Sequence, residues 1–214
     1  MSIICIGDVH GKTNEYQKLL ERQAPWQPTI QLGDMGLGFK DVKLPPLSKV
    51  NRWLRGNHDN PALCRQHPNY LGEYGYLPSF NLFYVSGAMS IDAAWRTEGQ
   101  TWWREEELSY GQLDTAIQAY CAAKPKRVVS HECPAKAHDV LLYDLVGSYF
   151  AMKAACKDSR TCQALQVMLD NHQPEEWVFG HYHVNKQFKV PGYDTLFTCV
   201  APMDTYVLDT GSEI

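Results

Sequence analysis

The stretch "ICIGDVHGKT", residues 4–13, ends an apolar run in a turn that contains two glycines, an aspartate and a histidine. A P-loop for nucleotide phosphates has four residues between its glycines. Only three residues separate Gly7 from Gly11, which is one too few for that loop. Asp8 and His10 are metal-ligand types instead, and their spacing after a strand can direct both side chains to one point. The rest of the chain decides between these two interpretations.

The pattern of an apolar strand followed by a polar turn recurs downstream of this stretch. Strands are predicted at 2–6, 28–32 and 50–54, and the last two run into "GDMGLG" and "RGNHDN". Helical spacing of apolar residues predicts a helix over 14–23, between the first two strands. This alternation is typical of an α/β fold, in which ligands bind at the carboxyl ends of the strands.

The second half of the chain continues this alternation. A hairpin or two edge strands are predicted at 81–91, and helices at about 105–122 and 161–171, with "REEE" at 104–107 as a solvated helix start. Further strands are predicted at 126–129, 176–179, 186–190, 195–200 and 205–208. No linker divides the chain, so we expect a single domain over 1–214, with a cap or insertion around 137–173 as an open question.

Composition narrows the class of partner and the cellular compartment. A formal charge of −4 gives no basic field for a polyanion, so nucleic acid is not favoured as a partner, although it is not excluded. No apolar run has the length needed to span a membrane. Seven cysteines without regular spacing, and no signal peptide, indicate reduced thiols and a cytoplasmic location.

Five of the eight histidines lie in short turn motifs at the predicted strand ends. They are His10 in "GDVHG", His58 in "GNHD", His131 in "SHECP", and His181 and His183 in "GHYH". A single histidine in such a place is more often an ordinary polar residue than a ligand, but chance does not readily supply five. Together with Asp8, Asp34 and Asn57 they provide what a centre of two metal ions needs: nitrogen ligands, terminal carboxylates and a bridging carboxylate.

In chain order, "GDVHG", "GD", "GNHD", "SH" and "GHYH" closely resemble the sequence blocks of the calcineurin-like metallophosphoesterases. That superfamily includes serine/threonine protein phosphatases, cyclic-nucleotide phosphodiesterases and phosphoesterase nucleases. The match spans residues 7–183. It implies a four-layer α/β/β/α sandwich, in which two sheets face each other with helices outside. Lys12 and Thr13 would then begin the first helix and would not bind phosphate.

The resemblance also implies a role for each ligand type in these blocks. Asp8, His10 and His183 would hold the first metal ion, and Asp34 would bridge the two ions. Asn57, His131 and His181 would hold the second ion. His58 would bind no metal and would face the scissile phosphate.

Two divalent transition-metal ions are the implied cofactors. Imidazole, carboxylate and amide ligands suit such ions better than calcium, which prefers oxygen. We expect manganese, with iron, zinc or nickel as alternatives. Two ions lower the pKa of a bridging water, so the expected mechanism is attack by a metal-bridging hydroxide. The leaving oxygen still needs a proton or a hydrogen bond, for which His58 is the expected catalytic residue.

The second block departs from the protein phosphatases, which read Gly-Asp-x-x-Asp-Arg-Gly and use the later Asp and Arg to orient the histidine and bind phosphate. This chain has Leu37 and Gly38 at those two positions. Asp59 is a candidate to assist His58, and Arg55 or Arg96 to bind the substrate phosphate. Arg96 is preferred because "SIDAAWR…WW..E", which begins at Ser90 and ends at Glu106, resembles a block of uncharacterised, often phage-encoded members of the superfamily. A structural salt bridge is an equally weighted alternative for Arg96.

We expect a phosphomonoesterase whose substrate is a phosphorylated small molecule or a phosphoprotein, and serine/threonine protein phosphatase activity is one form of this. The reason is that "GDVHG" and "RGNHD" are nearest to the phosphatase branch. A phosphodiesterase or nuclease is the alternative, which the missing Asp-Arg pair would fit. A non-catalytic scaffold is disfavoured, because every expected ligand position is filled.

Overall fold

The computed structural model describes residues 2–39, 42–143 and 158–211 of the chain. Within these ranges the secondary structure consists of ten β-strands and five α-helices. The strands are β1 Ser2–Ile6, β2 Thr29–Gln31, β3 Asn51–Trp53, β4 Tyr74–Leu77, β5 Leu82–Val85, β6 Arg127–Ser130, β7 Glu176–Phe179, β8 Lys186–Lys189, β9 Leu196–Cys199 and β10 Thr205–Asp209. The helices are α1 Thr13–Glu21, α2 Pro61–Cys64, α3 Tyr110–Ala123, α4 Ala135–Tyr143 and α5 Arg160–Asn171.

The strands form two sheets. The first has the order β10-β1-β2-β3, in which β1, β2 and β3 are parallel and β10 is an antiparallel edge. The second has the order β4-β5-β6-β7-β9-β8, with a parallel centre and antiparallel strands at both edges. Parallel neighbours end at the same side of a sheet, so the turns that follow them are brought together.

One apolar core lies between the two sheets. Alternate residues of β1, such as Ile3 and Cys5, meet Leu82 of β5 and Val129 of β6 there, all of them fully buried. Because side chains alternate along a strand, the neighbouring residues point to the opposite face of each sheet. Both faces of the central strands are therefore apolar, as the near-continuous hydrophobic runs of the sequence predict.

Helices cover the outer face of each sheet. On the first sheet, α1 packs Tyr16 against Ile6 and Trp53. On the second sheet, α3, α4 and α5 cover an outer core that includes Phe83, Trp177 and other buried residues. The layers are therefore helix, sheet, sheet, helix, and the predicted α/β/β/α sandwich is confirmed.

The strand pair predicted over 81–91 is wrong. Only β5 lies in this range, and it pairs with the preceding strand, β4, in the register Leu77↔Leu82. A 3₁₀ turn at Pro78–Phe80 and a left-handed Asn81, with φ of 46°, reverse the chain between them. After β5, residues 86–90 form a loop, and Ser90 of this loop contacts Asn57.

The helix predicted at about 105–122 begins later, at Tyr110. Ser109 caps it, because its hydroxyl accepts a hydrogen bond from the backbone N–H of Gln112 in a capping box. Residues 104–107 precede this cap, and Glu106 and Glu107 are buried. The expectation of a solvated helix start is therefore wrong for these two glutamates.

The cap or insertion expected around 137–173 stays a prediction. Its central part, residues 144–157, lies outside the described residues. On either side of it, α4 and α5 place Leu141 and Leu165 in the outer core of the second sheet. These two helices are therefore part of the sandwich.

Most cysteines in the described part of the chain are free thiols, and one forms a disulfide. Cys5, Cys64, Cys121, Cys133 and Cys199 are free thiols. Cys162 is disulfide-bonded, so the expectation of reduced thiols throughout is wrong at that position. None of the helices described combines the length and the apolar character that crossing a bilayer requires.

Candidate metal centre

The polar turns predicted from the sequence converge where the carboxyl ends of the two sheets meet. From the first sheet, Asp8 follows β1, Asp34 follows β2, and Asn57 with His58 follows β3. From the second sheet, His131 follows β6, and His181 with His183 follows β7. The seven expected ligand residues and His58 thus lie in turns at the carboxyl ends of five strands.

Asp8, His10 and His183 form a first group whose potential ligand atoms lie within 4.8 Å of one another. The Nε2 atom of His183 is 3.1 Å from Oδ2 of Asp8, and that of His10 is 3.5 Å from the same oxygen. This oxygen is buried and accepts no hydrogen bond from any described residue. The two Nε2 atoms are 2.9 Å apart, so they form a triangle with this unpartnered carboxylate oxygen. Such a triangle fits a cation, which would satisfy all three atoms.

Asp34, His131 and His181 form a second group of the same compactness. The Nδ1 atom of His131 lies 2.8 Å from the carbonyl oxygen of Leu32, which can only accept a hydrogen bond. Burial opposes protonation of His131, but Asp34 raises the pKa of its ring to about 10. When the ring is neutral, as a metal ligand must be, its proton stays on Nδ1 and Nε2 has a free lone pair. That Nε2 atom lies 3.4 Å from Oδ1 of Asp34 and 3.2 Å from Oδ1 of Asn57.

Asp34 belongs to both sides of the centre. Its Oδ2 is 3.9 Å from Nε2 of His10 in the first group, whereas its Oδ1 is 3.4 Å from Nε2 of His131 in the second. One carboxylate that presents its two oxygens to two ligand groups is the arrangement that a bridging ligand needs. The backbone N–H of His58 also donates to Oδ1, at 2.7 Å, which fixes the rotation of the carboxylate.

Backbone strain is concentrated at these residues. His10, Asp34, His181 and His183 all have positive φ, with values of 47°, 58°, 68° and 57°. Such values are uncommon for residues other than glycine and cost about 1–2 kcal/mol each. Strained conformations of this kind cluster at functional sites, where the surrounding structure holds them in place.

Glycines make room for the two carboxylates. A Cβ atom on Gly180 would lie 2.5 Å from Oδ1 of Asp8, and one on Gly56 would collide with Oδ1 of Asp34. Any larger residue would push the carboxylate from its place. The sequence blocks therefore need glycine beside the ligands for steric reasons.

Electrostatics of the described residues favour a bound cation at the centre. Burial alone would raise the pKa of Asp8, but His10 and His183 beside it lower the pKa to about 2. Burial likewise opposes ionisation of Asp34, and His131 nevertheless holds the pKa of that carboxyl well below its usual range. Two buried carboxylates thus stay ionised and require positive charge nearby. Carboxylate, imidazole and amide donors fit a borderline transition-metal ion.

A cleft of about 410 Å³ opens beside the second group and contains His58 and Arg96. The Nη2 atom of Arg96 lies 2.6 Å from Nε2 of His58, and its Nε atom pairs with Oδ1 of Asp92 at 2.8 Å. The salt bridge weighed as an alternative for Arg96 is thus present, and the guanidinium lines the cleft at the same time. Burial, together with the nearby Arg96, lowers the pKa of His58 to about 4.

A smaller cavity of about 220 Å³ lies on another side of His58. Phe39 stacks on the imidazole of His58 with ring centroids 5.8 Å apart, and Val42 lines the same cavity. His58 is therefore a wall common to a polar cleft and an apolar cavity.

Two of the expected site residues lie elsewhere. Arg55 is buried, and its guanidinium binds Glu73 through Nε and Nη2 and the backbone oxygen of Glu106 through Nη1. Asp59 is also buried, and its oxygens accept hydrogen bonds from the backbone N–H groups of four residues. These are Met35, Gly36, Leu37 and Gly56. Asp59 thus ties the loops after β2 and β3 together, and neither residue is brought to the cleft.

Three buried polar residues beside the centre are absent from the sequence expectations. Glu132 has its Oε2 atom 3.7 Å from Nε2 of His181, and its place directly after His131 is a signal that could have found it. Ser90 accepts a hydrogen bond from Asn57, and Glu106 accepts one from Ser90. These two residues begin and end the block "SIDAAWR…WW..E", which is a signal that could have found them, although only the folded chain brings their two loops together.

Comparisons with known proteins give a matching family and a similar fold. The model of the calcineurin-like phosphoesterase family matches residues 1–185. A solved structure of phosphopantetheinyl hydrolase from Mycobacterium tuberculosis is similar, with 13% identity, a TM-score of 0.50, and coverage of 94% of this chain and 89% of that chain. A conserved uncharacterized protein from Streptococcus pneumoniae TIGR4, a predicted phosphoesterase, has 16% identity, a TM-score of 0.42, and coverage of 94% and 72%. No curated protein matches the chain in sequence. At 13% identity, the similarity to the phosphopantetheinyl hydrolase structure supports the fold alone.

Proposed function

Because the chain belongs to the calcineurin-like phosphoesterase family, it is a metal-dependent hydrolase of phosphate esters, and we propose that it is a phosphomonoesterase. The observation that carries the proposal is the placement of Asp34 between the two ligand groups, with Arg96 and His58 in the adjoining cleft. The substrate is a phosphorylated small molecule or a phosphoprotein, and the resemblance of "GDVHG" and "RGNHD" to the phosphatase branch supports a monoester.

We assign the metal ligands as the sequence blocks imply. The first ion is held by Asp8, His10 and His183, the second by Asn57, His131 and His181, and both by Asp34. Manganese is the proposed ion, with iron, zinc or nickel as alternatives, because all four accept mixed nitrogen and oxygen donors. When bound, two such ions lower the pKa of a water between them and neutralise charge on the phosphoryl oxygens.

Arg96 is the proposed phosphate-binding residue of this chain. Its guanidinium is anchored through Nε to Asp92, which leaves Nη2 directed at Nε2 of His58 inside the cleft. Phosphate oxygens are stronger acceptors than an imidazole nitrogen, so the ester draws the Nη2 donor to itself. Because a guanidinium can only donate, Nε2 of His58 carries no proton while it faces Arg96. After the exchange Nε2 can take up a proton from solvent, which the negative charge of the phosphate favours, and donate it to the leaving oxygen.

Phosphodiester hydrolysis is the second candidate function. Arg96 is the one arginine or lysine among the described residues that line the cleft, and Leu37 and Gly38 add no charge. A diester has a single negative charge and a monoester up to two, so a cleft with one arginine also suits a diester. A non-catalytic scaffold is the third candidate. Six of the seven expected ligands lie in compact groups, and Oδ1 of Asn57 is 3.2 Å from Nε2 of His131, which argues against a scaffold.

The function is tested with purified protein loaded with Mn²⁺, assayed on p-nitrophenyl phosphate and on its bis ester. We expect the monoester to be hydrolysed with the higher kcat/KM. A strong preference for the bis ester would replace the proposal with the diesterase alternative. Substoichiometric metal with no hydrolysis of either ester would favour the scaffold. The His58→Ala variant, purified in the same way, controls for contaminating phosphatases.

We also propose a cytoplasmic location. The free thiols of Cys5, Cys64, Cys121, Cys133 and Cys199 support a reducing compartment, and the disulfide at Cys162 does not. Cell fractionation tests this directly, and recovery in a secreted fraction would contradict it.

A further inference from the structure

Three buried side chains from three separate segments form a line of hydrogen bonds that ends at the metal centre. Nδ2 of Asn57 donates to Oγ of Ser90 at 3.1 Å, and Oγ of Ser90 donates to Oε2 of Glu106 at 2.5 Å. The backbone N–H of Ser90 donates to the other oxygen, Oε1, at 2.7 Å. Asn57, Ser90 and Glu106 are only 3%, 4% and 3% exposed, so solvent does not replace these partners.

The chemistry of the donors fixes the direction of each bond in this line. Both oxygens of Glu106 accept hydrogen bonds from Ser90, and with the carboxylate ionised the hydroxyl proton of Ser90 points to Glu106. The Oγ atom of Ser90 then has only lone pairs left for Asn57, and it requires the NH₂ group of the amide, not its oxygen. The amide oxygen, Oδ1, is consequently turned to the opposite side, where it lies 3.2 Å from Nε2 of His131.

We propose that Glu106 is a positioning residue that acts through Ser90 to hold the Asn57 amide with its oxygen facing the second ligand group. The inference rests on the proposed function, in which Asn57 is a ligand of the second ion. An amide can ligate a cation only through oxygen, because its NH₂ group has no available lone pair and carries partial positive charge. A rotation of 180° about the last side-chain bond would therefore convert a ligand into a repelling group.

The segment that contains Glu106 is itself held in place. Nη1 of Arg55 donates to the backbone oxygen of Glu106 at 2.5 Å, and the backbone N–H of Gly87 donates to the oxygen of Arg55 at 2.7 Å. Arg55 and Asn57 are two residues apart on the loop after β3. The same loop therefore contains the ligand that Glu106 orients and the arginine that holds the backbone of Glu106. This gives Arg55 a positioning task in place of the substrate contact expected from the sequence.

The test uses Glu106→Gln, which keeps the size of the side chain and reverses one hydrogen bond. The glutamine oxygen still accepts from the backbone N–H of Ser90, so its NH₂ group faces Oγ of Ser90 and donates to it. The hydroxyl proton of Ser90 then turns to Asn57 and favours the amide rotated by 180°. We expect affinity for the second Mn²⁺ ion to fall about 10–100-fold, while affinity for the first is unchanged. Electron paramagnetic resonance of free Mn²⁺ during a titration measures both.

The decisive measurement is a rescue by Asn57→Asp. A carboxylate presents an oxygen on both sides, so it accepts the reversed Ser90 proton and still offers an oxygen to the metal. In the Asn57→Asp background, Glu106→Gln is therefore expected not to weaken the second ion. An equal loss in both backgrounds would overturn the inference. Glu98→Gln, at a glutamate that is 56% exposed and paired with Arg104, is the matched control and should change neither affinity.

Two further outcomes separate this inference from the proposed function. Ser90→Ala and the double variant Ser90→Ala with Glu106→Gln should bind the second ion equally, since Glu106 acts only through Ser90. Additive losses would contradict the relay while leaving hydrolysis by the wild-type enzyme intact. If the wild-type protein binds no second ion, or if Asn57→Ala leaves its affinity unchanged, the ligand assignment itself fails. Thermal unfolding of each metal-free variant separates loss of the fold from loss of the site.

Discussion

The guanidinium of Arg96 and the imidazole of His58 contact each other directly, with Nη2 2.6 Å from Nε2. The two side chains proposed to touch the phosphate are therefore held together before substrate binds. Asp92 fixes the other edge of the guanidinium, at 2.8 Å from Nε. Because Asp92 keeps the guanidinium in the cleft, only the Nη2 donor has to change its partner when phosphate binds.

Arg96→Ala should retain both metal ions and lose about 10²–10³-fold in kcat/KM, since it removes a donor directed at the phosphoryl oxygens. Arg96→Lys keeps the charge but cannot bind Asp92 and phosphate through separate edges, so it should recover only part of the loss. Steady-state kinetics with metal analysis of the same samples measures this. Full activity in Arg96→Ala would show that the Asp92 salt bridge is its only role.

His58→Ala should also keep its metal and lose about 10²–10⁴-fold in kcat on an ester with a poor leaving group. The loss should be smaller with p-nitrophenyl phosphate, because p-nitrophenolate needs little protonation. A comparison of phenyl phosphate with p-nitrophenyl phosphate measures the difference. Equal losses on both substrates would indicate that His58 does not act at the leaving oxygen.

Asp34→Ala should lose metal binding at both positions, because Oδ1 and Oδ2 face different ligand groups. Metal content after loading and desalting measures the loss. Asp114→Ala, at an exposed aspartate on α3, is the control and should keep the wild-type content. Retention of one tightly bound ion by Asp34→Ala would contradict the bridging assignment.

Metal should stabilise the fold, because it binds the folded site and not the unfolded chain. At a free concentration 100 times the dissociation constant, Mn²⁺ should add about 2.7 kcal/mol to the free energy of unfolding. Chelation should reverse the gain, and thermal unfolding with and without a chelator measures it. The Asp34→Ala variant should show no metal-dependent shift in Tm.

Acid should weaken the buried pair of Arg55 and Glu73. Burial opposes ionisation of Glu73, but Arg55 and Arg65 lower its pKa below the ordinary value of 4.5. The pair therefore stabilises the fold above that ordinary value, and the contribution is lost as pH falls through the lowered pKa. Glu73→Gln should cost about 3 kcal/mol at neutral pH, because it leaves a buried guanidinium uncompensated. The difference from wild type should shrink in acid.

Unfolding in denaturant at several pH values measures this dependence. Glu15→Gln, at an exposed position of α1, should have little effect at any pH. A cost for Glu73→Gln that persists unchanged in strong acid would contradict the ionic origin of the stabilisation.

The residues that converge at the candidate centre could be predicted from the sequence because each lies in a short motif directly after a strand. Parallel strands bring their ends together whatever the rest of the chain does, so local signals at Asp8, Asp34 and His131 sufficed. The layered fold followed from the same alternation. The direction in which a side chain points was harder to predict. Arg55 precedes Asn57 by two residues, yet its guanidinium points away from the centre and binds Glu73 and the Glu106 backbone.

The contact between residues of two distant loops could not be predicted from the sequence, although Ser90 and Glu106 begin and end the block that was quoted for Arg96. Ser90 and Glu106 are 16 positions apart, and both lie in irregular loops that periodicity does not describe. The charged run at 104–107 suggested a solvated helix start, because acidic residues are common in the first turn of a helix. Only packing against the loop after β5 removes Glu106 from solvent and gives it a hydrogen-bonding task.

The left-handed backbone at His10, Asp34, His181 and His183 has an evolutionary consequence. Glycine adopts this conformation at no steric cost, so replacement by glycine relieves strain at each of these four positions while it removes a ligand. A descendant no longer selected for hydrolysis would gain stability by such changes. Relatives with glycine at these four positions are therefore expected to be more stable and to lack phosphoesterase activity. The residues at these four positions can thus identify relatives that have lost catalysis.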